Sequence, residues 1–527
     1  MSHTTVVAGQ QAGLTYASAR GRWVLLATVL GSAIASIDAT VVGIALPAIG
    51  RNFGVGLAAL QWVVTAYTLT LAGLLLIAGA LGDKYGRKRI FLTGVSWFAV
   101  ASVLCGIAPT IQTLIAARAL QGIGAALLTP GSLAILQAAF RPDDRRKAIG
   151  VWAGFSGVGT AIGPFIGGWL IAAASWRLIF AINLPIAAVV VAVTWRHVPE
   201  TRDPDAIAPI DVTGGVLATT GLVGLTYGLI QGPVSGWGSV PAVAALAGGV
   251  TLLCAFGGWE RRAAAPMLPL TLFSSRQFSA TNVVTFIVYG AIGGALFLLP
   301  IDLQEVSRYT ALEAGISLLP ITVITLALSR RSGALAGRIG PRLQMAIGPV
   351  FIGGGFGLFT LIGESGNYLA DVLPGVAVLG FGLAVTVAPL TSTALAAVPA
   401  RHADMASAVN NDVARAAALI AVALLPAAGG ITGDAYQHAS LLSVGFHHAC
   451  LISAGLCVAA GALAAITIRN PERTTDPKAA APRSLAHRTL DAPPQPITEA
   501  DISPPKGQLS GAAVQDASYC LLDPGLG

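Results

Sequence analysis

Fourteen apolar runs, each close to the length that crosses a lipid bilayer, constrain this chain more than any other feature. They cover residues 23–44, 58–78, 89–107, 113–137, 148–171, 178–195, 212–231, 241–259, 279–301, 313–332, 344–363, 370–396, 406–430 and 446–468. A helix rises 1.5 Å per residue, so about 20 apolar residues span ~30 Å of hydrocarbon. Lipid offers no hydrogen bonds, so a spanning backbone must be helical or a closed barrel. Barrel strands would alternate polar and apolar residues over ten-residue segments, and no such pattern occurs. Each run therefore reads as a helix. The charge content agrees: only 10% of the 527 residues are Asp, Glu, Lys or Arg, against ~25% in soluble proteins. Too few charges remain to solvate a globule, which excludes a water-soluble enzyme.

The basic residues lie in short clusters between the runs. Eighteen fall in one alternate set of loops, including Lys84–Arg89, Arg141–Lys147 and Arg330–Arg342, and three in the other, namely Arg51, Arg177 and Arg308. The positive-inside rule makes the first set cytoplasmic and puts both termini there as well. The net charge of +7 thus marks orientation rather than a nucleic-acid partner. Five cysteines form no C-x-x-C pair and read as small buried hydrophobes, so no metal or other cofactor is expected.

An internal repeat organises the runs. Gly79–Arg89 reads GALGDKYGRKR and Gly333–Arg342 reads GALAGRIGPR. Both loops are cytoplasmic, so the two copies point the same way. The expected fold is an all-α integral membrane protein: two parallel six-helix bundles, runs 1–6 and 9–14, with runs 7 and 8 inserted. In this reading 1–22 is an N-terminal tail, 23–195 the first bundle and 196–211 a linker. Residues 212–259 are the inserted pair, 260–278 a second linker, 279–468 the second bundle and 469–527 a mobile cytoplasmic tail. Parallel repeats of this kind are a transporter architecture, with the solute site between the halves near the midplane.

Five short motifs, in order, sharpen this. Gly79–Arg89 resembles motif A of the major facilitator superfamily. Arg118-Ala-Leu-Gln121-Gly122-Ile-Gly124 is similar to motif B. Gly159, Gly163, Pro164, Gly167 and Gly168 in run 5 resemble motif C of the antiporter branch. Asp38-Ala-Thr40 through Pro47, and Trp176-Arg177 through Asn183 and Pro185, with fourteen helices, resemble the fourteen-helix drug:proton antiporter family. The resemblance implies a major facilitator fold and a cytoplasmic gate at Gly79, Asp83, Gly86 and Arg87, with Asp83 latching onto the other half. Glycines four apart in run 5, Gly150 with Gly154 and Gly159 with Gly163 and Gly167, also allow close helix packing on their own account.

Ionisable groups in hydrocarbon cost ~2.5–3.5 kcal/mol each on insertion scales and mark functional sites. Asp38 lies fifteen residues into run 1 and Arg118 five residues into run 4, which runs the other way. At 1.5 Å per residue both fall at about one depth, in the outer half. They are the candidate proton-coupling residues, facing each other or sharing a wet cavity. Gln61, Tyr67, Gln121, Asn410 and Asp412 are candidate lining of a substrate cavity. Asp412 and Arg415 are three apart and able to pair on one helix face. Asp302, Gln304 and Glu305 follow run 9 and are expected to be solvated, the alternative being an outer substrate or proton vestibule.

No G-x-x-x-x-G-K-[ST] occurs, so energy is expected from an ion gradient or from the solute gradient. The expected function is a monomeric secondary transporter in the cell membrane, with small-molecule substrate, protons and lipid as partners. It would export hydrophobic or amphipathic drugs or an antibiotic, often cationic in this family, in exchange for protons. The Ala-, Gly- and Arg-rich composition suits a GC-rich bacterial source. The same residues fit a narrow exporter of one endogenous metabolite, or a transporter-like receptor or scaffold.

Overall fold

The computed structural model describes residues 13–202, 210–364, 366–399 and 402–470. Part of the expected N-terminal tail, residues 203–209 of the first linker and the C-terminal tail from residue 471 onward lie outside the described residues. Among the described residues fourteen helices are long and apolar enough to span a membrane. They are α1 (Ala19–Phe53), α2 (Leu57–Tyr85), α3 (Arg87–Gly106), α4 (Ile111–Ala139), α5 (Pro142–Ala173), α6 (Leu178–His197), α7 (Val212–Ser235), α8 (Val240–Glu260), α9 (Arg276–Glu305), α10 (Ala311–Ile339), α11 (Pro341–Leu361), α12 (Tyr368–Ala396), α13 (Met405–Ala428) and α14 (Ala439–Thr467). No strand occurs among them beyond a single bridge between Leu14 and Phe140.

Several helices outrun the apolar stretches because local caps extend them into the headgroup zone. The Ser18 hydroxyl accepts from Gly21 N at 3.1 Å and starts α1 four residues before Trp23. Thr110 with Thr113, and Thr310 with Glu313, form capping boxes at α4 and α10. Each cap satisfies backbone donors that a helix start would leave unpaired.

The halves repeat one packing scheme. In the first, α1 packs on α5 and α6, α4 on α2 and α3, and α3 on α6. In the second, α9 packs on α13 and α14, α12 on α10 and α11, and α11 on α14. Two six-helix bundles thus stand side by side. The inserted α7 and α8 pair with each other, and α7 touches both α2 and α13.

The repeated loop shows the duplication atom by atom. Gly86 and Gly340 both hold positive φ, 114° and 86°, at the start of α3 and α11. An L side chain is strained there, which explains the glycine in both copies. Beyond each sixth helix a side chain returns to this turn. Glu200 accepts from Lys88 N at 3.1 Å, and Asn470 accepts from Arg342 N at 3.0 Å. The third and sixth helices of each bundle are clamped at the face where the described residues begin, at Gly13, and end, at Asn470, here called the terminal face.

The bundles meet toward the opposite face. Gln61 Nε2 of α2 donates to Val422 O and Ala423 O of α13 at 2.7 and 3.1 Å. Gln304 Nε2 of α9 donates to Ile44 O of α1 at 3.0 Å. Arg51 and Glu305 form an ion pair there. A Cβ on Gly168 of α5 would clash with the Ala311 backbone of α10, and one on Gly315 with Pro164 O. Toward the terminal face the same helices are uncovered: Cβ atoms on Gly150, Gly154 and Gly337 would meet nothing within 4 Å.

Candidate functional site

Helix α4 carries the centre of the site, and its glycines decide how near α2 comes. A Cβ on Gly122 would collide with Tyr67 O and Thr70 Oγ1. Glycine there lets the two backbones approach. Arg118, one turn earlier, then reaches α2, and its Nε donates to Val63 O at 3.1 Å. Its guanidinium carbon also sits 4.3 Å from the Tyr67 ring centroid, close enough for a cation–π contact.

The Arg118 guanidinium pairs with Asp38 of α1 through Nη1 and Oδ2. Both residues are 1% exposed. The equal depth read from the sequence is thus accompanied by direct contact, and the site is dry rather than a wet cavity. Asp38 Oδ1 accepts from Gln121 Nε2 at 2.8 Å and from Asn183 Nδ2 of α6 at 3.1 Å. Arg118 also donates to Gln121 Oε1. Gln121 and Asn183 both donate to Ser102 Oγ of α3, at 2.9 and 3.3 Å. Four helices thereby converge on one carboxylate. A buried ion pair survives desolvation only when further hydrogen bonds fill its remaining sites, and Gln121 and Asn183 supply them. Gln121 had been assigned to a substrate cavity. Ser102 was not singled out, because a lone serine in an apolar run carries no periodic signal.

The other candidates divide. Tyr67 is 3% exposed, stacks under Arg118, and its hydroxyl has no hydrogen-bond partner. Gln61 does not line a cavity; its amide is spent on the α13 carbonyls at the closed face. Asn410 is likewise held within the second bundle, donating to Asn282 Oδ1 at 3.1 Å and Thr285 Oγ1 at 2.9 Å on α9. Asp412 makes no ion pair with Arg415 among the described residues, and its Oδ1 is buried without a partner. Arg415 stays within electrostatic reach of both Asp412 and Tyr67 without closing the ion pair that the spacing allows. The residues expected to be solvated at the end of α9 are not. Asp302 is 0% exposed with neither carboxylate oxygen hydrogen-bonded, and Gln304 and Glu305 are engaged with α1. The last turn of α9 is covered on two sides, by α1 against Gln304 and Glu305 and by Cys450 of α14 within electrostatic reach of Asp302, and its own sequence reveals neither.

At the terminal face, Asp83 bonds within its own loop, accepting from Arg87 Nε at 2.9 Å. Gly79 and Gly82 keep open space around them, with nothing nearer than 3.9 Å to an added Cβ. On α5, Gly163 and Gly167 press on Thr40 and Val41 of α1, while Gly168 faces α10. The glycine row therefore serves both its own bundle and the other.

A sequence profile described as the Major Facilitator Superfamily matches residues 28–423. Over 387 residues the chain is 38% identical to the multidrug resistance protein Stp of Mycobacterium tuberculosis, covering 73% of this chain and 71% of that protein. It is 32% identical over 441 residues to the tetracenomycin C resistance and export protein of Streptomyces glaucescens, with 82% of each covered. Among solved structures, a bacterial homolog of the human lysosomal transporter Spinster, in an inward-facing and unoccupied conformation, superimposes with a TM-score of 0.62. That match is at 17% identity and covers 86% of this chain and 97% of the other.

Proposed function

We propose, on the premise that this chain belongs to the major facilitator superfamily and is a membrane transporter, that it exports hydrophobic or amphipathic drugs or an antibiotic in exchange for protons. The observation that carries the reading is the buried Asp38–Arg118 pair with its Gln121 and Asn183 partners. The export and resistance functions named for the relatives supply the direction and the class of solute.

With the basic loops cytoplasmic, the uncovered terminal face opens inward and the sealed face is external. Alternating access then exchanges this arrangement for one parted outside. In the outward-open form a proton from the external side reaches Asp38 and discharges its pair with Arg118. In the inward-open form the proton leaves, and the pair reforms as it stands in this structure. A proton moving down the gradient supplies about 2.3 kcal/mol per 100 mV. At ~1.4 kcal/mol per decade, that accumulates a neutral solute more than tenfold.

The test is substrate-induced proton release from purified protein in weak buffer, with Stp-type drugs as probes. The parent should release protons on binding and Asp38→Asn should release fewer. Collapse of the proton gradient in vesicles should also abolish uphill accumulation. An unchanged proton count in Asp38→Asn with intact uphill export would move the coupling site elsewhere.

A further inference from the structure

Away from the central pair, two acids meet at the terminal-face edge of the inserted hairpin. Asp211 immediately precedes α7 and Glu260 closes α8. Asp211 Oδ1 is fully engaged, accepting from Gly214 N and from Trp259 Nε1, each at 2.8 Å. Glu260 is 3% exposed, and its Oε2 accepts from Leu268 N at 3.0 Å. The remaining oxygens, Asp211 Oδ2 and Glu260 Oε1, are buried and have no hydrogen-bond partner among the described residues. They converge over Gly214, where an added Cβ would clash with Asp211 Oδ2 and stand 2.7 Å from Glu260 Oε1. Only a residue without a side chain leaves the two carboxyl groups free to face each other.

Nothing basic neutralises them. Arg261 and Arg262 follow Glu260 but are exposed, and neither forms an ion pair with Asp211 or Glu260 among the described residues. From α2 the neighbours are Ile77 against Gly215 and Gly73 against Thr219, and from the following linker Met267. Two ionised carboxylates in such a place would repel each other and be poorly solvated. One proton between the two free oxygens removes both penalties.

We propose that Asp211 and Glu260 share a single proton and form a second proton-binding site, a clasp that holds the insert together. The Glu260 Oε1–H···Oδ2 Asp211 bond ties the start of α7 to the end of α8. The Glu260–Leu268 bond extends the tie to the segment leading into α9. Because α7 packs on both α2 and α13, the clasp governs how firmly the insert bridges the two bundles. The shared proton exists only where the folded hairpin brings the two free oxygens together. Its stabilisation is therefore present at low pH and lost as pH rises through the titration of the pair. If the terminal face is cytoplasmic, as the proposed function has it, the clasp reads cytoplasmic pH.

The experiment is hydrogen–deuterium exchange of the purified full chain from pH 5.5 to 8.5, corrected for intrinsic rates. In the parent, protection of residues 210–216 and 259–270 should fall at least tenfold as pH rises. Glu260→Gln keeps the acceptor for Leu268 N and donates permanently to Asp211 Oδ2, so its protection should not vary with pH. Asp211→Asn should behave alike, because its oxygen still accepts both bonds and its amide donates to Glu260. A carboxylic-acid C=O infrared band present in the parent at neutral pH should vanish in Glu260→Gln. Protection in the parent that is independent of pH, or equal pH dependence in parent and Glu260→Gln, overturns the shared proton. Neither readout involves transport, so failure of the exporter reading leaves the result interpretable.

Discussion

Replacing Asp38 with Asn should strand a buried cation. Asn can present one oxygen to Gln121 and Asn183, but its amide then faces Arg118 Nη1, donor against donor. Arg118 is 1% exposed, so no solvent replaces the lost carboxylate. Breaking a buried pair by removing one partner costs about 3–5 kcal/mol. Arg118 keeps the Val63 carbonyl, the Gln121 oxygen and the Tyr67 ring, which places the expected loss near ~3 kcal/mol. Arg118→Met should cost a similar amount by leaving Asp38 uncompensated. The double variant removes both charges and should be no worse than either single one, because a well-packed apolar replacement of an ion pair is often neutral. Unfolding of the four proteins by SDS in mixed micelles would measure the cycle. Single variants within ~0.5 kcal/mol of the parent, or effects that simply add within ~0.5 kcal/mol, would falsify the view that the pair is dry and mutually dependent.

Gly163→Val combined with Gly167→Val should abolish export while the protein still inserts, because the added atoms meet Thr40 and Val41 of α1 at clashing distance. Normal drug efflux from cells with a well-expressed double variant would show that α5 is not close-packed in the working cycle. Gln61→Ala removes both amide bonds across the closed face and should cost that state about 1–3 kcal/mol. The change should appear as faster labelling of cysteines introduced beside Val422 from the external side, and unaltered labelling would contradict a sealing role.

The helices were legible because lipid forces a simple rule on sequence: length and apolarity suffice, and neither depends on neighbours. The duplicated bundle was legible for a related reason. Gly86 and Gly340 answer to local backbone geometry, so the turn leaves the same letters twice. Asp38 and Arg118 stood out through the cost of charge in hydrocarbon and the depth set by helix rise. What failed depended on which helix covers which. Gln61 looked like cavity lining because polarity is visible and the opposing α13 carbonyls are not. Asp302 looked solvated because a helix end usually is, and packing against helices distant in sequence, α14 with Cys450 among them, buries it. Asp412 and Arg415 had the right spacing to pair and lie within electrostatic reach, but spacing alone does not bring their charged atoms into contact. Glu260 read as linker, since its partner Asp211 lies far away in sequence and meets it only when the hairpin closes.

The clamps at Gly86 and Gly340 carry a mechanical consequence. Each joins the last helix of a bundle back to the start of its third, so a bundle resists internal shear and rocking is left to the joint between bundles. The clamps differ in chemistry: Glu200 is a carboxylate with Arg89 3.6 Å away, whereas Asn470 is a neutral amide. Salt screens the charges of the first and leaves the neutral side chain of the second untouched. The two bundles, alike in architecture, should therefore soften under different conditions, with the one that holds Asp38 yielding first.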